Sequence, residues 1–303
     1  MEKITINSVS EFIENVCKCN SSSELRCEDF TQNEILLYRG HANESYELIP
    51  SIGRDVLITE ERNLIELVKY KMPDVFKNSM YPLELLALLQ HYGIPTRLLD
   101  VTENPLVALY FACCSSPETN GEVFVFKNND AVIATYSIVN AIADSYRLLN
   151  IQAIHTSLED FYNSAIEQHY FSEDRYICRY KHQTKEQKEE WIQECCEKIH
   201  FVYAPVRTLR QQMQQGRYIL FPNKINSKKF FITEIAPMSR TDKCIFKVFQ
   251  IPADSKRKIL MDLKCLGISE GVLFCDNIDK TCDEIKKYYH EIIRNRTYHP
   301  CNQ

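Results

Sequence analysis

The chain has 303 residues, 45% of them hydrophobic, and a formal net charge of −5 at pH 7. That length buries at least one large core, and the acidic balance excludes the global basic field that drives non-specific nucleic-acid binding. No apolar run reaches about 18 residues, and the opening MEKITINSVSEF lacks the charged-then-apolar layout of a secretory signal, so a cytoplasmic protein that does not enter a membrane is expected.

In chain order, the first expected element is a helix around Val9–Cys17, followed by a polar, Ser- and Cys-rich loop. Ile35 to Tyr38 is a short apolar run suited to a buried strand, stopping at Arg39-Gly40. From Glu60 to Met72, Leu64, Leu67, Val68 and Met72 recur at helical spacing, and Pro73 ends that helix. A second helix runs from Leu83 to His91 and is capped at Gly93. The segment from Gln90 to Pro105 reads as a polar connection between helices, and Asn104-Pro105 opens the next one, with Asn as N-cap and Pro at the first helical position. Residues 106–114 are apolar on every face, which predicts a helix buried all round.

Candidate strands follow at Glu122–Lys127 and Ala131–Tyr136, then a helical and more polar stretch over residues 138–200. Apolar runs at Tyr218–Phe221, Phe230–Ile235 and Ile245–Ile251 suit strands, and helices near Ser255–Leu266 and Cys282–Ile293 close the chain. No Ser/Gly linker, repeat or low-complexity tract interrupts this order. The expectation is one α+β domain over residues 1–303, a mixed β-core with surrounding helices and a helical insertion at 138–200.

The thirteen cysteines have no CxxC spacing, which fits reduced, mostly buried thiols rather than a disulfide framework or zinc site. Cys113 and Cys114, inside the most apolar helix, are expected to pack rather than react. Only seven glycines are present, about a third of the average usage. Gly40, Gly93 and Gly216 all fall in segments that carry chemistry.

The first such segment is Tyr38-Arg39-Gly40, where a guanidinium at a strand end and a residue without a side chain suit an anion brought close to the backbone. The bland alternative is a strand-end Arg paired with a surface carboxylate. In the second segment Thr102 stands two residues before an N-cap, so its hydroxyl and nearby N–H groups make a donor-rich corner. Arg97 and Asp100 either extend that site or pair with each other as a buried strut. His91 reads as a capping or packing residue. In the third segment, Arg210, Gln211, Gln212, Gln214 and Gln215 are either a polar helix cap or amides facing a ligand's hydroxyls, with Gly216 permitting the turn into a strand.

These segments resemble the FRG domain family, named for a Phe/Tyr-Arg-Gly motif that here reads Tyr38-Arg39-Gly40. The stretch HYGIPTRLLDVTENPLVALYFA at residues 91–112 is similar to the family's central motif, with Val101 where Trp is frequent. Arg210, Gln214, Gly216 and Tyr218 follow its RxxxQxGxF pattern, and residues 266–279 resemble its last segment. More distantly, Tyr38-Arg39-Gly40, then Thr102, Pro105 and Ala108–Ala112, resemble the ordered elements of Arg-Ser-Glu-type ADP-ribosyltransferases.

That second resemblance implies NAD as ligand, Arg39, Thr102 and Gln214 as catalytic positions, and Tyr38, Arg39, Gly40, Arg97, Thr102 and Arg210 as cofactor-binding positions. Gln214 stands where the family's catalytic Glu is expected and brings no charge to a cationic transition state; Glu234 is a substitute on the next strand. The implied activities are ADP-ribosyl transfer to a protein or nucleic-acid acceptor, or NAD hydrolysis, by a toxin or phage-defence effector with a cognate antitoxin or regulator. A non-catalytic nucleotide- or nucleic-acid-binding module and a scaffold in which the motifs are structural are the alternatives.

Overall fold

The structure, a computed structural model, describes residues 3–22, 35–54, 57–128, 132–133, 137–149, 153, 155–170, 184–205 and 208–274. Its strands are β1 (Lys3–Thr5), β2 (Ile35–His41), β3 (Leu98–Thr102), β4 (Gly121–Asn128), β5 (Val132–Ile133), β6 (His155–Ser157), β7 (His200–Tyr203), β8 (Gly216–Leu220), β9 (Ile225–Asn226), β10 (Lys229–Phe231) and β11 (Ile245–Ile251). Its helices are α1 (Val9–Ser22), α2 (Glu61–Lys71), α3 (Pro82–His91), α4 (Pro105–Cys113), α5 (Ser137–Ala143), α6 (Ser145–Leu148), α7 (Leu158–Glu167), α8 (Lys185–Cys196), α9 (Leu209–Met213), α10 (Ala253–Cys265) and α11 (Glu270–Leu273). The fold is α+β. An eight-stranded mixed sheet runs in the order β1-β11-β4-β2-β3-β8-β7-β5, and a small sheet has the order β6-β10-β9. No described helix is long and apolar enough to cross a membrane.

Strand alternation explains how the sheet is covered on both faces. Tyr38, Val123, Val125 and Phe249 point into an apolar cluster shared with α1, α4 and α10, while Leu37, Phe124, Phe126 and Val248 point into a second cluster with Leu99, Val101 and Ile219. A third cluster gathers α3 and α5–α8 against Leu98, Tyr218 and Leu220. The helix α4 is apolar throughout because it lies between sheet and surrounding helices, and Val107, Ala108, Leu109 and Ala112 are fully buried. Its start is fixed locally: the Asn104 side chain accepts from the Leu106 N–H at 3.0 Å, and Pro105 occupies the first turn.

The sheet is nearly split beside β2. On one side β2 pairs with β4 from Ile35↔Asn128 to His41↔Glu122. On the other it meets β3 at Tyr38↔Thr102 alone, whereas β3 pairs with β8 from Leu98↔Leu220 to Thr102↔Gly216.

Several expectations need correction. The run at Ile35 does not stop at Arg39-Gly40; β2 continues to His41 because β4 pairs with it throughout. The polar connection between α3 and α4 contains β3, a central strand that buries Leu98, Leu99, Val101 and Thr102 and leaves Asp100 exposed. The stretch 138–200 is not purely helical, since β6 pairs with β10. The expected strand Phe230–Ile235 is confined to β10, and the helix expected at Cys282–Ile293 lies outside the described residues. Every described cysteine is a free thiol. Cys113 is buried and its thiol is pushed up to about 12 by that burial, whereas Cys114 caps the end of α4 and is exposed.

Arg97 does not pair with Asp100. It is 1% exposed and donates from Nε to Glu61 Oε1 at 2.9 Å, from Nη2 to Glu61 Oε2, and from Nη1 to Asn223 Oδ1 at 3.0 Å. This bidentate pair ties α2 to the start of β3, and a buried charge so well satisfied is a strut.

Gly40 admits a helix. A Cβ there would lie 2.6 Å from the Ala112 amide nitrogen and inside the contact radius of the Ala108 carbonyl oxygen, so α4 rests on the bare backbone of β2. Gly216 is different, because its Cβ would meet only Gln211 O at 3.8 Å. The left-handed turn before β8 is made by Gln215 (φ 46°), not by Gly216. Gly40→Ala is expected to lower the unfolding free energy by at least about 2 kcal/mol in urea titration, with Gly216→Ala within about 0.5 kcal/mol of wild type; equal effects would contradict this packing.

Candidate functional site

A cavity of about 260 Å³ opens on the α4 side of the split, at the small end of ligand pockets. β2 contributes Tyr38, Arg39 and Gly40, and β3 contributes Asp100 and Thr102. The segment around α9 adds Arg210 and Gln214, α3 adds Gln90, and α4 supplies an apolar wall ending in Phe111. Six of the seven expected site residues thus line one cavity: Tyr38, Arg39, Gly40, Thr102, Arg210 and Gln214. Arg97 lies elsewhere, in the strut with Glu61.

Arg39 bridges the split. Its Nη1 donates to the Asp100 carbonyl of β3, and its Nε donates to His41 Nε2 at 3.0 Å. No described carboxylate forms an ion pair with it, and its Nη2 has no described hydrogen-bond partner. Burial lowers its pKa to about 10, with the Asp100 charge opposing and Arg54 reinforcing the shift. The guanidinium therefore remains charged at neutral pH, largely desolvated and short of a counter-ion. Its neighbour His41 is 3% exposed and held neutral, its pKa driven down to about 2 by burial and by Arg39, Arg240 and Arg54.

Thr102 is committed to the fold. Its hydroxyl donates to the Gln214 carbonyl at 2.6 Å and accepts from the Asn104 N–H at 2.9 Å. The Glu103 N–H is used by Gln215 O and the Val107 N–H by Asn104 O. The expected donor-rich corner is consequently closed, because the local turn consumes the N–H groups that an anion would need. Thr102 instead pins the segment after α9 to the end of β3.

Arg210 supplies what that corner does not. Its guanidinium lies 4.5 Å from the Phe274 ring centroid and makes no hydrogen bond or ion pair with a described residue. Phe274 in turn meets Phe111 edge-on, with centroids 6.2 Å apart. Gln214 Nε2 donates to Leu273 O at 3.0 Å, which holds its amide against α11. Tyr38 lines the cavity, but its ring is buried in the α1 cluster and burial pushes its phenol up to about 12. Glu234 stands outside the cavity as an exposed partner of Lys224 at 2.6 Å.

Of the two sequence readings of Asp100, extension of the site or a strut with Arg97, the structure favours the first, since Asp100 lines the cavity. It is the one carboxylate among the described residues lining the cavity. Gln90 Nε2 donates to its Oδ2 at 2.9 Å, and the Thr96 hydroxyl donates to Gln90 Oε1 at 2.6 Å. The signal was the lone polar residue inside the apolar run Leu98–Val101, the pattern of a strand with one wet position. No described group of three His, Cys, Asp or Glu residues can hold a metal ion.

Residues 34–121 match the FRG domain. The chain carries an FRG domain. No curated protein and no solved structure matches the chain. The FRG match spans β2, α2, α3, β3 and α4, all of which except α2 line the cavity, while Arg210, Gln214 and Tyr218 complete it from beyond the matched residues.

Neutral His41 links the FRG domain's stability to pH. The unfolded chain takes a proton at His41 below its ordinary value of 6.5, whereas the folded chain does so only near 2. Its contribution is therefore complete above 6.5 and is lost as pH falls through that window. His41→Gln, which keeps an acceptor for Arg39, should flatten the fall in unfolding free energy between about pH 6 and about pH 4 by up to about 1.4 kcal/mol per pH unit. Parallel wild-type and variant curves in urea titrations would contradict a buried neutral imidazole.

Proposed function

We propose that the cavity binds NAD and that the protein is an ADP-ribosyltransferase-like enzyme acting on a protein or nucleic-acid acceptor, or on water. The observation that carries this reading is the pair of cations, Arg39 and Arg210, lining one cavity without an ion pair to any described carboxylate. A planar guanidinium fork suits the oxyanions of a diphosphate, and a desolvated one gains more from such a partner than a hydrated one. Phe111, which lines the cavity, offers an aromatic contact for a ring. The order of Tyr38-Arg39-Gly40, Thr102 and the helix Ala108–Ala112 is the further support that the family resemblance lends.

On this reading Arg39 and Arg210 hold the diphosphate, and Thr102 acts by fixing Gln214 and its segment. A non-catalytic nucleotide-binding module is the second reading, and a specific observation favours it: Gln214, at the place expected for a catalytic Glu, is an amide tied to Leu273.

Purified protein incubated with NAD and a cell lysate separates the two. The enzyme reading predicts nicotinamide release with label transfer, and at least about tenfold weaker NAD binding in Arg39→Ala, the loss typical for a charge-assisted hydrogen bond. NAD binding without nicotinamide release would favour the module. If neither NAD nor any other nucleotide raised the melting temperature, both would fail and a structural role for the motifs would stand.

A further inference from the structure

Cleaving the bond between a ribose and a nicotinamide ring develops positive charge on the sugar, and that charge calls for a nearby carboxylate. Gln214 has none, and Glu234 is spent on Lys224 outside the cavity. We propose that Asp100 supplies it: the Asp100 carboxylate faces the cationic nicotinamide riboside end of the bound dinucleotide and stabilises the charge that develops on the ribose. The inference rests on the NAD-binding reading and deepens it.

Three observations lead there. Asp100 lines the same cavity as Arg39 and Arg210 and makes no ion pair with either; Arg39 reaches its backbone carbonyl instead. A carboxylate placed beside two guanidinia yet bridged to neither is free to meet a ligand's charge. Its orientation is set by neutral groups. The Thr96 hydroxyl fixes Gln90, and Gln90 Nε2 holds Asp100 Oδ2 and also donates to the Leu98 carbonyl at 3.2 Å, leaving Oδ1 without a described hydrogen-bond partner. Finally, β3 pairs Asp100 with Tyr218 of β8, whose phenol is kept protonated by burial and by the Asp100 charge, and Gln211 Nε2 donates to it at 2.7 Å. The cavity therefore presents two cations, Arg39 and Arg210, and one carboxylate that ion-pairs with neither, the charges that a ligand carrying both a diphosphate and a cationic ring calls for.

The reaction balances without a further reagent. The bond from ribose C1′ to the nicotinamide nitrogen breaks with both electrons leaving on the ring, which becomes neutral. The acceptor's lone pair forms the new bond at C1′, and the acceptor's proton passes to solvent. Asp100 exchanges no electrons and forms no bond.

The test uses the full chain and three probes, NAD, NADH and ADP-ribose, with titration calorimetry and nicotinamide release as separate readouts. Wild type is expected to bind NAD about tenfold more tightly than NADH, whose ring is neutral. In Asp100→Asn, which keeps the shape and an acceptor for Gln90, that preference should fall to about unity, ADP-ribose affinity should stay within about twofold, and nicotinamide release should drop about 100-fold. Glu234→Gln, outside the cavity, should match wild type in every readout. If Asp100→Asn kept both the NAD-over-NADH preference and turnover, the assignment of Asp100 would be overturned while NAD binding stood. If the variant gained affinity equally for ADP-ribose and NAD, the carboxylate would face the diphosphate, again overturning it. If wild type bound none of the three probes, the NAD reading itself would fail and the assignment with it.

Discussion

The near-separation of β2 from β3 is the constraint on which the rest of the molecule depends. The two central strands share one residue pair, Tyr38↔Thr102, while each is firmly paired on its far side. An unpaired stretch of strand in the middle of a sheet leaves backbone polar groups to be satisfied some other way. Arg39 does part of that by donating across the gap to the Asp100 carbonyl. On the other side α4 presses onto Gly40, so the opening is walled by helix rather than filled by side chains. A cavity follows from this arrangement, and its lining comes from whatever residues β2, β3 and α9 present.

The electrostatics of the cavity follow from the same geometry. Removing a guanidinium from water is costly unless a counter-charge and hydrogen bonds replace the lost solvation. Arg39 has two described partners, a neutral imidazole and a carbonyl, and its depressed pKa expresses that deficit. Two other buried cations are better provided with partners. Arg97 has Glu61 and Asn223, and Lys256 donates to the carbonyls of Ala42 and Ser116. Against those, the incomplete set around Arg39 and Arg210 stands out as a place where an anion completes the structure.

What could be read from the sequence was local. Asn104 and Pro105 announce the start of α4 because capping involves residues a few positions apart, and the all-apolar run behind them can only be buried. The Tyr38-Arg39-Gly40, Thr102 and Arg210–Gly216 segments could be flagged one by one. Their convergence could not be, since β3 finds its partner β8 more than a hundred residues later. For the same reason β3 reads as a connection, its short run Leu98–Val101 being flanked by the polar residues Thr96, Arg97, Thr102 and Glu103. Arg97 looked like a partner for Asp100 three residues away, but neighbours in a strand at that spacing point to opposite faces, and Arg97 reaches Glu61, 36 positions earlier. Gln214 stands out by its order in a motif, whereas Asp100 reads either as an extension of the site or as a partner of Arg97, and the placement of the strands decides between them. At Gly40 the missing side chain marks a close approach without saying what approaches, and the structure puts α4 there at the edge of the cavity.

The most direct measurement is a crystal structure of the full chain with ADP-ribose. The account predicts diphosphate oxygens within hydrogen-bond distance of Arg39 Nη2 and the Arg210 guanidinium, inside the gap between β2 and β3. Density for the ligand at any other surface, or a cavity that stays empty at a concentration that saturates binding in solution, would contradict it.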